Sequence, residues 1–243
     1  MKTLIFCTSY INNNSDSNNK ERYRRWVEFY LERMKYFNSE HLFLIDDGSP
    51  DTDFGYEMDI LDPENMPESI NKKINLVHFK NNLGRPTWND YQGWWRSFTF
   101  SYKIAQLYDY DKIIHIESDF YIMSHKMAEY IKDSTKGWIA PFSKFHGFPE
   151  TAIQIICKDR YSKLGKLYKK AVKRNFSFNQ IAELYIPFTK VEESFLGDRL
   201  GQNEILQKWL GFIETPFDLD YFGQLHPKYS FEDYSSIFNF ELL

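Results

Sequence analysis

Cysteine is nearly missing: Cys7 and Cys157 are the only two in 243 residues, each inside an apolar run. That excludes a disulfide-stapled secreted scaffold and reads as two reduced core thiols in a cytoplasmic protein. Long hydrophobic runs are missing as well. None approaches the roughly 18 residues of a membrane helix. The opening Lys2-Thr3-Leu4-Ile5-Phe6-Cys7 is too short for a secretory signal and ends in Thr8-Ser9-Tyr10 rather than a small-residue cleavage site. An excess of either charge is missing too. The formal net charge is −4, so nothing draws the whole chain to nucleic acid or an anionic membrane, and an anionic ligand needs a local site. Repeats, low-complexity tracts and Gly/Ser linkers do not occur, which leaves one compact domain spanning 1–243 as the expectation.

Apolar residues make up 42% of the chain, ample for a full core. Leu4 to Cys7 reads as a buried strand, followed by a polar loop from Asn12 to Asn19. A helix comes next, with Tyr23, Trp26, Val27, Tyr30, Leu31 and Met34 at helical spacing. The run Leu42-Phe43-Leu44-Ile45 is a second strand, stopped by the turn cluster Asp46-Asp47-Gly48-Ser49-Pro50. Residues Asp51 to Asn71 read as an irregular surface insertion, and Ile74 to Phe79 as a third strand. A helix with Trp94, Phe98, Tyr102 and Ala105 on one stripe precedes the strand Lys112 to Ile116. Further strands are expected at Trp138 to Phe142 and Ile153 to Cys157, and helices near Tyr161 to Val172 and from about Glu193 to Leu210. Strands alternating with amphipathic helices make an α/β fold, a mostly parallel sheet flanked by helices. Ligands of such sheets gather at the carboxyl ends of the strands.

Three of those ends are polar: Thr8-Ser9-Tyr10, Asp46-Asp47-Gly48-Ser49 and Glu117-Ser118-Asp119. Glu117 and Asp119 leave one side of an extended backbone, and such a pair suits Mg²⁺ or Mn²⁺ with coordination sites left for diphosphate oxygens. A nucleotide-dependent enzyme is the expectation. His115 is read as alternating away from the pair into the sheet.

Four segments together resemble the GT-A fold glycosyltransferases that use nucleotide sugars, family 2 in particular. Thr8-Ser9-Tyr10-Ile11-Asn12 is similar to the family's first nucleotide loop, and Leu44-Ile45-Asp46-Asp47-Gly48-Ser49 to its acidic second-strand end. Asn82-Leu83-Gly84 resembles its Asn-x-Gly loop, with Arg96 placed like the arginine of the following helix, and Glu117-Ser118-Asp119 its metal-binding DxD motif. The resemblance covers the first half of the chain better than the second, and Glu117 stands where the family has Asp.

The likeness implies transfer of a sugar, from a UDP-sugar above all, to a glycan or lipid-linked acceptor in polysaccharide biosynthesis. The nucleotide-sugar half would be 1–120 and the acceptor half 121–243. Asp47 would accept from the uracil imide, with Asp46 beside it and Thr8, Ser9 and Tyr10 bordering the base. Gly84, Arg85, Arg96 and Ser118 would serve the rest of the donor. Glu117 and Asp119 would hold Mn²⁺ or Mg²⁺, with His226 as a third ligand. An inverting transfer needs a carboxylate base, and Asp198, then Glu193, then Glu204 match the family's region for it. Trp88, Trp94 and Trp95 cluster after the Asn-x-Gly loop, where aromatic faces suit sugars as well as core. The face with Lys163, Lys166, Lys169, Lys170 and Lys173 reads as solvated and is also able to dock an anionic acceptor or a membrane surface. Two other readings stand beside this one. A sugar-nucleotide pyrophosphorylase needs a glycine-rich loop after the first strand, and Thr8 to Asn12 contains no glycine. A noncatalytic carbohydrate-binding protein would bind sugar without nucleotide or metal.

Overall fold

Strand β1 (Thr3–Ser9) buries every residue, with Ile5 and Cys7 packed on one side and Leu4 and Phe6 on the other. Successive side chains of a strand point to opposite faces, so an unbroken apolar run means that both faces are covered. The computed structural model describes residues 1–12, 18–53, 55–87, 89–173, 176–178, 180–211 and 217–239. Trp88 and residues 13–17 of the polar loop lie outside them.

Helix α1 (Asn18–Arg33) lays Tyr23, Trp26, Val27 and Tyr30 into the same cluster as Ile5 and Cys7, as their spacing requires. Strand β2 (Ser39–Asp46) follows a 3-10 turn that carries Met34. The segment expected to be irregular contains β3 (Asp59–Leu61), which pairs parallel with β4 (Ile74–His78) at the sheet's edge. Three residues are too few for an alternation to register in the sequence. Helix α2 (Gln92–Leu107) covers the opposite face with Trp95, Phe98, Ile104 and Ala105. After it come β5 (Lys112–Ile116), β6 (Phe120–Ile122), α3 (His125–Asp133), β7 (Trp138–Ser143), β8 (Phe148–Pro149) and β9 (Ile153–Cys157). The chain continues through α4 (Tyr161–Ala171), α5 (Ala182–Tyr185), β10 (Lys190–Glu192), β11 (Gly197–Asp198) and α6 (Asn203–Leu210). It closes with β12 (Phe217–Asp218), β13 (Tyr221–Gly223) and β14 (Phe238–Asn239).

The main sheet has the order β10-β7-β9-β5-β1-β2-β4-β3, with β8 paired to β7. It is a mostly parallel α/β sheet flanked by helices, as expected. The antiparallel members are β9, against both β5 and β7, and β8. A small sheet, β11-β13-β6, lies beside it.

The long helix expected from Glu193 to Leu210 does not form. Only Asn203–Leu210 is helical, and Gly197 and Asp198 pair instead with Tyr221 and Phe222. A Cβ on Gly197 would collide with the Tyr221 backbone, so glycine permits a close strand contact that a helix-period reading does not see. Among the described residues no helix is long and apolar enough to cross a membrane. The five lysines of the α4 face are all exposed.

Candidate functional site

Parallel pairing of β1 with β2 and with β5 brings their three carboxyl ends to one edge. A cleft of about 690 Å³ opens there, and Thr8, Ser9, Tyr10, Asp47, Gly84, Arg85, Glu117, Ser118 and Asp119 all line it. Nine of the expected donor and metal residues therefore share one wall.

The two members of the acidic pair have different surroundings. Thr8 Oγ1 lies 3.1 and 3.0 Å from the two oxygens of Glu117, and Trp94 Nε1 donates to Oε1 at 2.5 Å. His115 Nε2 stands 3.1 Å from the same oxygen. The reading that turned His115 away from the pair is thus corrected: residues 115 and 117 have the same parity along the strand and share a side. Burial pushes the Glu117 carboxyl up, but the His115 ring beside it and the hydrogen bonds from Trp94 and Thr8 outweigh it and hold the pKa below the ordinary value. Burial, reinforced by the charge of Glu117, raises Asp119 despite the nearby Arg22.

The donor set thus fits a divalent cation only in part. Glu117 is engaged mainly through Oε1, its Oε2 meeting only the Thr8 hydroxyl shared with Oε1, whereas no side chain or backbone group of another described residue hydrogen-bonds the Asp119 carboxylate. Among the described residues no group of three or more His, Cys, Asp and Glu is arranged to hold a metal ion. His226 is exposed, accepts from Lys228 N at 3.2 Å, and does not line the cleft. The residue expected as third ligand thus lies off the cleft wall, which Gln224 reaches.

Asp47 lies on the cleft wall but is spent on the backbone. Its Oδ2 accepts from Asn82 Nδ2 at 2.8 Å, Leu83 N at 3.1 Å and Gly84 N at 2.9 Å, while Oδ1 accepts from Arg96. Burial still raises its pKa, against the pull of Arg96 and the two amides. The residue expected to read a base therefore fastens the Asn82-Leu83-Gly84 loop. Arg96, expected on phosphate, is held by Asp47 and Asn81 O, stacks 4.1 Å over Phe79, and lines a second cavity of about 440 Å³. Asp46 is fully buried, with Ser9, Ser49 and His78 on its oxygens, and stays out of the cleft. Gly93 makes the clamp possible, because a Cβ there would run into the Asp47 carboxylate. Gly93→Ala is expected to cost about 1–3 kcal/mol, visible as a lower denaturant midpoint. An unchanged midpoint would mean that the loop is not held by Asp47.

The second half of the chain supplies the facing wall, with Glu150, Thr151, Ala152, Ala182, Glu183 and Arg199. Arg199 bridges the acids: Nε donates to Glu150 Oε2 at 2.7 Å, and the terminal nitrogen to Glu150 Oε1 at 3.0 Å and Glu183 Oε1 at 3.5 Å. Glu150 Oε1 also accepts from Ala152 N at 3.1 Å, so both of its oxygens are taken. Glu183 keeps more freedom. Thr151 Oγ1 donates to its Oε1 at 3.1 Å, and no described residue donates to its Oε2.

None of the three expected bases is on this wall. Asp198 is fully buried and accepts from Ser143 Oγ at 3.0 Å, Phe145 N at 3.0 Å and Arg199 N at 2.9 Å. It fastens the β7–β8 turn. Glu193 and Glu204 are exposed, the second in the first turn of α6.

Sequence reading missed Arg22, Glu150, Thr151, Glu183 and Arg199. Arg22 is adjacent to the stripe residue Tyr23 and Arg199 to the expected base Asp198, which are the local hints; Glu150, Thr151 and Glu183 belong to no motif. Of the two described tryptophans of that cluster, Trp94 and not the core residue Trp95 reaches the cleft.

No protein-family model matches this chain, and no curated protein matches it. Among solved structures it is similar to the crystal structure of a glycosyltransferase involved in the glycosylation of the major capsid of PBCV-1. The identity is 8% and the TM-score 0.45, over 95% of this chain and 96% of the other. A likeness this distant assigns no activity to the chain.

Proposed function

We propose that the chain is a GT-A-like glycosyltransferase that moves a sugar from a nucleotide donor, a UDP-sugar in the first instance, to a hydroxyl of a glycan or lipid-linked acceptor with inversion. The supporting observation is the two-sided character of one cleft. Strand ends from the first half line one wall, and the Glu150, Glu183 and Arg199 cluster from the second half lines the other. A volume near 690 Å³ is in the range of small-molecule sites.

In this reading Thr8, Ser9, Tyr10, the Gly84 turn and Ser118 border the donor. Arg85, stacked 4.4 Å over the Tyr91 ring, closes that side. Mn²⁺ or Mg²⁺ held by Asp119 would supply Lewis-acid stabilisation of the departing diphosphate. Glu183 Oε2 takes the proton of the acceptor hydroxyl as its oxygen attacks the anomeric carbon. The bond from that carbon to the diphosphate breaks, and its electron pair leaves with the nucleotide. Thr151 and Arg199 hold Glu183 through Oε1 and so orient the free oxygen. The exposed α4 lysines suit an anionic, lipid-linked acceptor at a membrane surface, and the two buried thiols suit a reducing cytoplasm.

The experiment is a panel of nucleotide sugars with Mn²⁺, recording which donor is bound and slowly hydrolysed. One uridine diphosphate sugar is expected to stand out. If none binds while free sugars do, the chain is a carbohydrate-binding protein and the transferase reading is wrong.

A further inference from the structure

Every acid on the cleft walls except Asp119 has a basic partner. Asp47 is paired with Arg96, Glu117 with His115, and Glu150 and Glu183 with Arg199. Arg22 is the converse case. It lines the cleft, feels the charges of Asp119 and Glu117, and comes within ion-pairing distance of no described carboxylate.

The partner that fixes it is neutral. Its guanidinium carbon lies 4.9 Å from the Tyr23 ring centroid, and NH2 donates to the Tyr23 hydroxyl at 2.8 Å. That hydroxyl is held in turn by Tyr10 N at 2.9 Å, so the loop after β1 and helix α1 grip the arginine together. Its Nε is buried and meets no hydrogen-bond partner among the described residues. A half-buried guanidinium that lines the cleft, is held in place and is matched by no described carboxylate suits an anion, and its planar fork matches phosphate oxygens.

We propose that Arg22 is the fixed anion anchor of this cleft, binding the diphosphate of the donor by charge and hydrogen bonds that do not depend on a bound cation. The inference rests on the reading of the cleft as a nucleotide-sugar site. It goes beyond that reading by placing part of the diphosphate recognition on α1, where no strand-end motif lies.

Calorimetric titration with UDP, inorganic pyrophosphate and uridine, each in EDTA and in Mn²⁺, tests it. The wild type is expected to bind UDP and pyrophosphate in EDTA. Arg22→Gln weakens both about 10–100-fold there, the scale of charge-assisted hydrogen bonds, and leaves uridine unaffected. Arg22→Lys keeps the charge, loses the fork, and recovers part of the loss. Asp119→Asn removes the anion facing the anchor and should tighten pyrophosphate in EDTA, and the gain should be smaller in the Arg22→Gln background, where a merely structural Arg22 would leave it unchanged. Equal UDP affinity in Arg22→Gln and wild type, with both melting alike, overturns the proposal. UDP binding that requires Mn²⁺ overturns it too and leaves the transferase reading standing. Failure of every nucleotide in both buffers removes that reading as well.

Discussion

Glu183→Gln is expected to slow glycosyl transfer by about 10²–10⁴-fold, the usual contribution of a positioned base, with donor affinity unchanged. The argument is one of elimination by hydrogen bonding. Glu150 gives both oxygens to Arg199, and Asp198 is sealed among Ser143, Phe145 and Arg199. Glu183 receives Thr151 and Arg199 on the same oxygen, which leaves Oε2 to meet an acceptor. Glutamine keeps the shape and can still accept through one oxygen but cannot take a proton. The kinetic signature is therefore a fall in kcat with little change in the donor KM. Wild-type turnover in this variant would move the base to Asp119, the cleft carboxylate that receives no hydrogen bond from another described residue.

Arg199→Met should cost about 3–5 kcal/mol of stability, the range for breaking a buried ion pair by removing one partner. Glu150 is fully buried, so the lost guanidinium strands its charge. Burial already raises the Glu150 pKa even with Arg199 opposing it. Removing Arg199 raises it further, and the sign of the pH effect follows. The folded state holds this proton more tightly than the unfolded chain. The resulting stabilisation is full below the ordinary carboxylate range and is lost as pH rises through the folded value. The deficit of the variant is thus expected to shrink on acidification from about pH 8 to about pH 5. Urea unfolding at the two pH values measures this, and the double variant Glu150→Gln with Arg199→Met should regain much of the loss. A single-variant cost below about 1 kcal/mol would mean that solvent reaches the pair.

Local pattern was enough for much of the fold. Apolar runs such as Leu42 to Ile45 and Ile113 to Ile116, and the stripe Tyr23, Trp26, Val27 and Tyr30, carry their period in neighbouring residues. The turn clusters at the strand ends mark which residues reach the ligand-bearing edge of a parallel sheet, and Thr8, Asp47, Glu117 and Asp119 do line the cleft. Where the pattern was short or ran against a close backbone contact, as at Asp59–Leu61 and Gly197, it misled.

The chemistry of each carboxylate was a different matter. Asp46, Asp47, Glu117 and Asp119 look alike in sequence, four acids at two strand ends. Only the assembled chain distinguishes them, because their partners arrive from far away: Thr8 and Trp94 for Glu117, Arg96 and the 82–84 amides for Asp47, His78 for Asp46. The far wall has no strand-end motif and is made by Arg199 reaching Glu150 and Glu183. Direction along a strand is a local steric property and is written residue by residue. Saturation of a polar group is a long-range property, and which acid stays open to a ligand was settled by what folding places within hydrogen-bond reach of it.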